Sequence, residues 1–210
     1  MKSRKNLLEQ LKSLPHFRKD MVYQLGKQLG LSDSTVDTYI SRFLKYKELY
    51  RLKNGLYVSA DFFNKNKGDI SYSFYLANII RTPSYVSSWA ALQYYDLTTE
   101  AIHTVTSVTS KVTRDYQTKA GNFAYQSINK KLFSGFSFVN GTPASPAGRF
   151  GFFIASPSKA LFDMVYFRTR QFRGFSLEKI NVLIEELRVD IDEMSNEERD
   201  KFYTMIKKYE

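Results

Sequence analysis

The sequence predicts an α+β fold, and three observations predict it. The first sixty residues carry three apolar stripes at helical spacing and close on an Asn-Gly pair between two short β-prone runs. The middle contains β-branched alternation, most plainly in Ile102-His-Thr-Val-Thr-Ser-Val-Thr109. The end returns to helical spacing. Strands gathered in one run, with helices on either side, argue against a doubly wound sheet, which alternates strand and helix. A chain of 210 residues fits one large domain or two small ones. With 43% hydrophobic residues, 17 Phe and 15 Tyr, it has enough apolar surface to exclude wholesale disorder.

The elements follow in order. Leu7, Leu8, Leu11 and Leu14 make a short amphipathic helix that Pro15 ends. A second helix, from about 18 to 29, buries Met21 or Val22 with Leu25 and Leu29, and stops at Gly30. Ser32 caps a third, over 33–47, with Val36, Ile40, Phe43 and Leu44 on one face. Its other face carries Thr35, Thr38, Arg42 and Lys45. Leu49-Tyr-Arg-Leu52 and Leu56-Tyr-Val58, joined through Lys53-Asn54-Gly55, read as a hairpin, because Asn and Gly both tolerate positive φ.

Helix, short turn with Gly, then helix is the helix-turn-helix pattern, whose second helix meets base edges with its first turns. Ser34, Thr35 and Thr38 are the residues expected there, with Arg42 and Lys45 neutralising backbone charge. A hairpin directly after such a motif is a wing, and Arg51 and Lys53 near its tip are placed to touch phosphate. Asp37 on that surface repels phosphate unless it is paired. The sequence thus divides into a winged helix-turn-helix domain over 1–62 and a mixed α/β domain with terminal helices over 70–210. The polar Asn64-Lys-Asn-Lys-Gly-Asp69 marks the boundary.

In the second part, Ile70, Phe74, Ala77 and Ile79 or Ile80 predict a helix ended before Pro83. Ser87 or Ser88 caps another, with Trp89, Leu92 and Tyr94 or Tyr95 inward. Strands are expected at 102–109, 122–128, 135–139 and 149–155, and Gly141 to Gly148 reads as a loop. Ser156-Pro157 opens a helix through Leu161, Met164, Val165 and Phe167. Two more helices start at Ser176 and Ser195, and their Glu185, Glu186, Asp190, Asp192 and Glu193 form an acidic surface.

Charge narrows the function. The formal net charge is +10. Residues 1–60 carry 12 basic against 5 acidic side chains, residues 61–174 carry 13 against 6, and residues 175–210 carry 6 against 10. An anionic partner therefore meets the front and middle of the chain. No run approaches the ~18 apolar residues of a spanning helix, and the basic start lacks the apolar run of a signal peptide. Neither a membrane partner nor export is expected. Zero cysteines exclude disulfides and thiolate zinc sites, and fit a cytoplasmic location.

Enzyme signals are weak, and neither cofactor nor metal is expected. His16 and His103 stand far apart, and no phosphate loop or dinucleotide motif occurs. Ser156-Pro-Ser-Lys159 spells Ser-x-x-Lys without the partner motifs of that chemistry, and a helix cap explains Ser156. Asp96, Glu100 and Asp115 lack the usual nuclease order. Arg168, Arg170 and Arg173, interleaved with Phe167, Phe172 and Phe175, read either as a second nucleic-acid or partner patch or as a solvated helix end whose phenylalanines are core.

The wing ending in Asn54-Gly-Leu-Tyr57, Tyr85-Val-Ser-Ser-Trp-Ala-Ala-Leu92 followed by Tyr95-Asp-Leu-Thr98, the strand at 102–109 and Ala155-Ser-Pro-Ser-Lys-Ala-Leu-Phe-Asp163 together resemble the AbiEi family of antitoxins. The likeness covers roughly residues 18 to 168 and rests on the order and spacing of these segments. It implies a winged-helix domain that represses its own operon by binding inverted repeats in double-stranded DNA. It also implies a C-terminal domain that neutralises a nucleotidyltransferase-like toxin of a type IV toxin-antitoxin, abortive-infection system for phage defence. Family DNA contacts fall on the recognition helix and wing, here Ser34, Thr35, Thr38, Arg42, Arg51 and Lys53. Trp89 and Asp163 match recurrent positions read as packing and as a helix start or salt bridge. The alternative is a protein-interaction module whose helix-turn-helix does not bind DNA.

Overall fold

The computed structural model describes residues 2–101, 103–141, 148–174 and 176–209, and is a mixed α+β fold with two sheets. Most of the 141–148 loop expectation, Ile102 and Phe175 lie outside the described residues.

Helix α1 (Lys2–Lys12) buries Leu7, Leu8 and Leu11. Strand β1 (Phe17–Arg18) leads into α2 (Lys19–Gln28), which buries Val22 but leaves Met21 exposed, settling that pair. Gly30 takes φ +70° after it, a conformation free of penalty only for glycine. Helix α3 (Asp33–Lys45) starts on Ser32, whose hydroxyl accepts from the Thr35 N–H. Strands β2 (Leu49–Lys53) and β3 (Leu56–Ser59) form the expected hairpin around Asn54 and Gly55. The three strands pair antiparallel in the order β1-β3-β2.

This small sheet is buried on both sides. Phe17, Leu49 and Tyr57 join Val22, Val36, Ile40 and Phe43 in one cluster, while Leu52, Leu56 and Val58 belong to the larger core. The Tyr72 hydroxyl donates to the Pro15 carbonyl at 2.7 Å, and Tyr75 meets His16 Nδ1 at 2.7 Å. Of the segment expected to be turn-rich, Asn64 to Asn66 belong to helix α4 (Ala60–Asn66), which the Ser59 hydroxyl caps, while Lys67 to Asp69 form the turn. Only Lys67, Gly68 and Asp69 intervene before α5 (Ile70–Ile80). Phe74, Ala77 and Ile80 face in from α5, whereas Ile70 is exposed.

The second sheet has the order β6-β7-β5-β4-β9-β8. Its strands are β4 (Ser84–Val86), β5 (Thr104–Thr109), β6 (Arg114–Thr118), β7 (Gly121–Ser127), β8 (Phe136–Val139) and β9 (Phe152–Ala155). Pairs β5–β7 and β4–β9 are parallel and the rest antiparallel. Between β4 and β5 lies α6 (Ser88–Tyr94), and β9 runs into α7 (Pro157–Arg168). Tyr125 of β7 donates to the Ala77 carbonyl of α5, while Tyr85 of β4 donates to Asp163 of α7. The sheet is therefore held between α5 on one face and α7 on the other, as alternation along the strands requires. Helices α8 (Leu177–Glu186) and α9 (Asn196–Ile206) close the chain, with Ile180, Ile184, Phe202 and Ile206 in the core.

Among the described residues, no helix is long and apolar enough to cross a membrane. None of them gathers three or more His, Asp or Glu side chains in a way that could hold a metal ion.

Candidate nucleic-acid interface

Helix α3 is amphipathic, so the residues off its apolar stripe face outward. Val36, Ile40 and Phe43 are buried, and full burial of each such side chain stabilises by roughly 1.5–3 kcal/mol. Ser34, Thr38, Arg42 and Lys45 are exposed or partly so, and Thr35 is half-buried. The Thr38 hydroxyl donates to the Ser34 carbonyl at 3.0 Å, and Thr35 Oγ1 lies 2.9 Å from Ser32 Oγ. Each hydroxyl keeps lone pairs for an outside donor.

Two contacts fix how α3 stands on α2. Asp37 Oδ1 lies 2.8 Å from Lys19 Nζ and accepts from the Tyr23 hydroxyl at 2.8 Å. Lys19 and Tyr23 hold the Asp37 carboxyl below the ordinary carboxylate range. The acid that reads as repelling phosphate is thus paired across the two helices. At Gly26, a Cβ would fall 2.4 Å from Val36 Cγ2, so α2 and α3 touch where α2 has no side chain.

Arg51 is exposed on β2 opposite Tyr57. Lys53, expected to touch phosphate from near the tip, turns toward the body. Its ammonium donates to the Ile80 carbonyl at the end of α5, and burial lowers its pKa from the ordinary lysine value. The hairpin is seated against β6 and α5, so the side chain turns toward the rest of the molecule. No protein-family model matches the chain, and no curated protein matches it.

Arg168 ends α7, and Arg170, Gln171 and Phe172 follow with φ of 50°, 69° and 61°. That reversal turns Phe172 into the core against Phe162 and Tyr166, while Arg168, Arg170 and Arg173 stay exposed. Phe172 is thus used in packing and offers no ring to a base.

Ser156 and Lys159 are not aligned for nucleophilic chemistry. Ser156 Oγ caps α7 by accepting from the Lys159 N–H, and the Lys159 ammonium lies 2.6 Å from Asp163 Oδ1 instead. Asp163 Oδ2 accepts from Ser87 at 2.7 Å and Tyr85 at 3.0 Å. Asp163 and Lys159 are almost fully buried, with side chains 0% and 4% exposed. Sequence spacing shows the i,i+4 pair but not its two hydroxyl donors from across the fold. Asp115 and Glu100 line neighbouring clefts beside Arg168, and Glu100 stands 3.6 Å from Arg188.

Proposed function

We propose that the chain is a sequence-specific DNA-binding autorepressor and the antitoxin of a type IV, abortive-infection system. On this reading residues 1–62 are a winged helix-turn-helix domain that binds inverted repeats upstream of its own operon, and residues 70–210 carry the antitoxin function. The observation that carries the DNA half is the outer face of α3, where Ser34, Thr38, Arg42 and Lys45 stand together while the opposite face is buried. The order helix, strand, helix, helix, hairpin, with the sheet order β1-β3-β2, supports it as the winged-helix arrangement. So does the formal net charge of +10.

The antitoxin half rests on the resemblance to the AbiEi family. Its segments Tyr85 to Leu92 and Ala155 to Asp163 supply Tyr85, Ser87, Lys159 and Asp163, the buried cluster that ties β4 to α7. The partner implied is a nucleotidyltransferase-like toxin. The reading places the protein in the cytoplasm and needs no cofactor, metal, turnover or membrane. A second reading, a protein-interaction module without DNA binding, is favoured by the docking of the hairpin, which ties Lys53 to the Ile80 carbonyl and leaves it fewer donors for DNA.

A mobility shift on the DNA upstream of the gene separates the two. The wild type is expected to shift that DNA and not a scrambled duplex, with affinity falling steeply as salt rises. Thr38→Ala/Arg42→Ala is expected to lose discrimination worth about 1–3 kcal/mol per base-edge contact removed. Equal shifts on operator and scrambled DNA would move the assignment to the interaction module. The second patch is tested in the same assay. Replacing Arg168, Arg170 and Arg173 together with alanine is expected to reduce the salt slope, by about 0.9 for each phosphate that is no longer neutralised. An unchanged slope restricts the footprint to the N-terminal domain.

A further inference from the structure

Where the hairpin meets α5 the fold leaves a cavity of about 480 Å³, lined among others by His16, Arg18, Lys53, Gly55 and Thr82. Arg18, Lys19 and Lys53 all line it. Lys53 is half-buried, and the strand register sets Arg18 and Lys53 on either side of Leu56, so both cations stand on the same face of the small sheet. Among the described residues the one acceptor of Lys53 is the Ile80 carbonyl, and an ammonium has three donors.

Little nearby offsets this charge. Asp20 also lines the cavity, 3.6 Å from Arg18, but both side chains are largely exposed and such pairs contribute little. Lys19 is occupied by Asp37. Asp115 lies on the opposite face of β6 from Arg114 and Tyr116, beside Arg168. Like charges held together in a partly desolvated site repel, and an anion seated among them removes that cost.

We propose that this junction is a phosphate-binding seat, in which Lys53 and Arg18 hold a phosphate group carried either by a small molecule or by a nucleic-acid backbone. Arginine supplies a planar fork matched to phosphate oxygens and lysine a point charge, the pairing phosphate sites favour. The cavity is large enough for a diphosphate or a nucleotide. The seat stands whether or not α3 reads an operator.

Inorganic pyrophosphate is the probe, added to the full chain at low ionic strength with sodium chloride of matched ionic strength as control. Pyrophosphate is expected to raise Tm above the chloride control, and calorimetric titration is expected to show at least tenfold weaker binding in Lys53→Met and Arg18→Gln. Arg18 is exposed, so its variant keeps the fold if Lys53→Met does not. A second arm measures the salt slope on a short non-specific duplex. A pyrophosphate response with an unchanged duplex slope means a small phosphorylated ligand. A slope reduced by about 1 in the variants means a backbone phosphate fills the seat. If the variants weaken neither, the proposal is overturned, and if no duplex binds at all the pyrophosphate arm decides alone.

Discussion

Replacing Asp163 with alanine is expected to destabilise the chain by about 3–5 kcal/mol, because it removes one partner of a buried ion pair and leaves the other charged. Lys159 is 3% exposed and stands 4.9 Å over the Phe162 ring, with Asp163 as its carboxylate partner. Ser87 and Tyr85 lose their acceptor in the same step. Urea unfolding followed by circular dichroism measures the loss. Lys159→Met/Asp163→Leu, which removes both charges at similar volume, is expected to lie closer to wild type than Asp163→Ala. A loss below about 1 kcal/mol in the alanine variant would mean that this cluster does not tie β4 to α7.

The same group gives a pH dependence. Burial pushes the Asp163 carboxyl above the ordinary carboxylate range, against the pull of Lys159, Ser87 and Tyr85. The folded chain therefore keeps this proton to higher pH than the unfolded chain. Its contribution is complete below the ordinary carboxylate range and declines as pH rises toward the folded value, since the unfolded state releases its proton first. In Asp163→Asn that titration is gone. The stability difference between wild type and this variant should change across that window and be flat above it.

What the sequence revealed and what it hid have separate physical causes. Helix α3 is legible because a 3.6-residue apolar stripe leaves its remaining residues only one place to go, and the Asn-Gly turn has few alternatives. Strand β6 is not legible. Arg-Asp-Tyr-Gln-Thr has no apolar alternation, and it is a strand because it pairs with β7 from Arg114↔Tyr125 to Thr118↔Gly121. Strand β4 is three residues long, too short to show a period, yet it is buried at the centre of the sheet. Helix α4 is hidden by polar composition, although Ser59 gives the cap that starts it.

The candidate site divides in the same way. The exposed face of α3 follows from local pattern, but the direction of Lys53 depends on α5, which begins seventeen residues later in the chain. Likewise Tyr85 and Ser87 converge on Asp163 from 78 and 76 residues away. A basic residue beside a turn reads as a phosphate contact whichever way the fold turns it. Its true surroundings are a tertiary property.

Gly26→Ala is expected to destabilise the chain by about 1–3 kcal/mol and, on the proposed function, to weaken DNA binding with it. In a helix interior the substitution alone would stabilise by roughly 0.5–1 kcal/mol, because alanine loses less backbone entropy. Here the new methyl falls 2.4 Å from Val36 Cγ2 on a fully buried, β-branched side chain with little rotamer freedom. Overpacking therefore outweighs propensity, and relief comes from moving α3 away from α2. That movement strains the Lys19–Asp37–Tyr23 contacts and shifts Ser34, Thr38 and Arg42 relative to the hairpin. Val36→Ala in the same chain makes room, so the double variant should be less unstable than the sum of the two single changes. Urea unfolding of the four chains measures that coupling, and the mobility shift shows whether operator affinity follows it. Stability coupling without a change in affinity would separate the packing of α3 from its proposed reading of DNA; a Gly26→Ala chain more stable than wild type would refute the close approach itself.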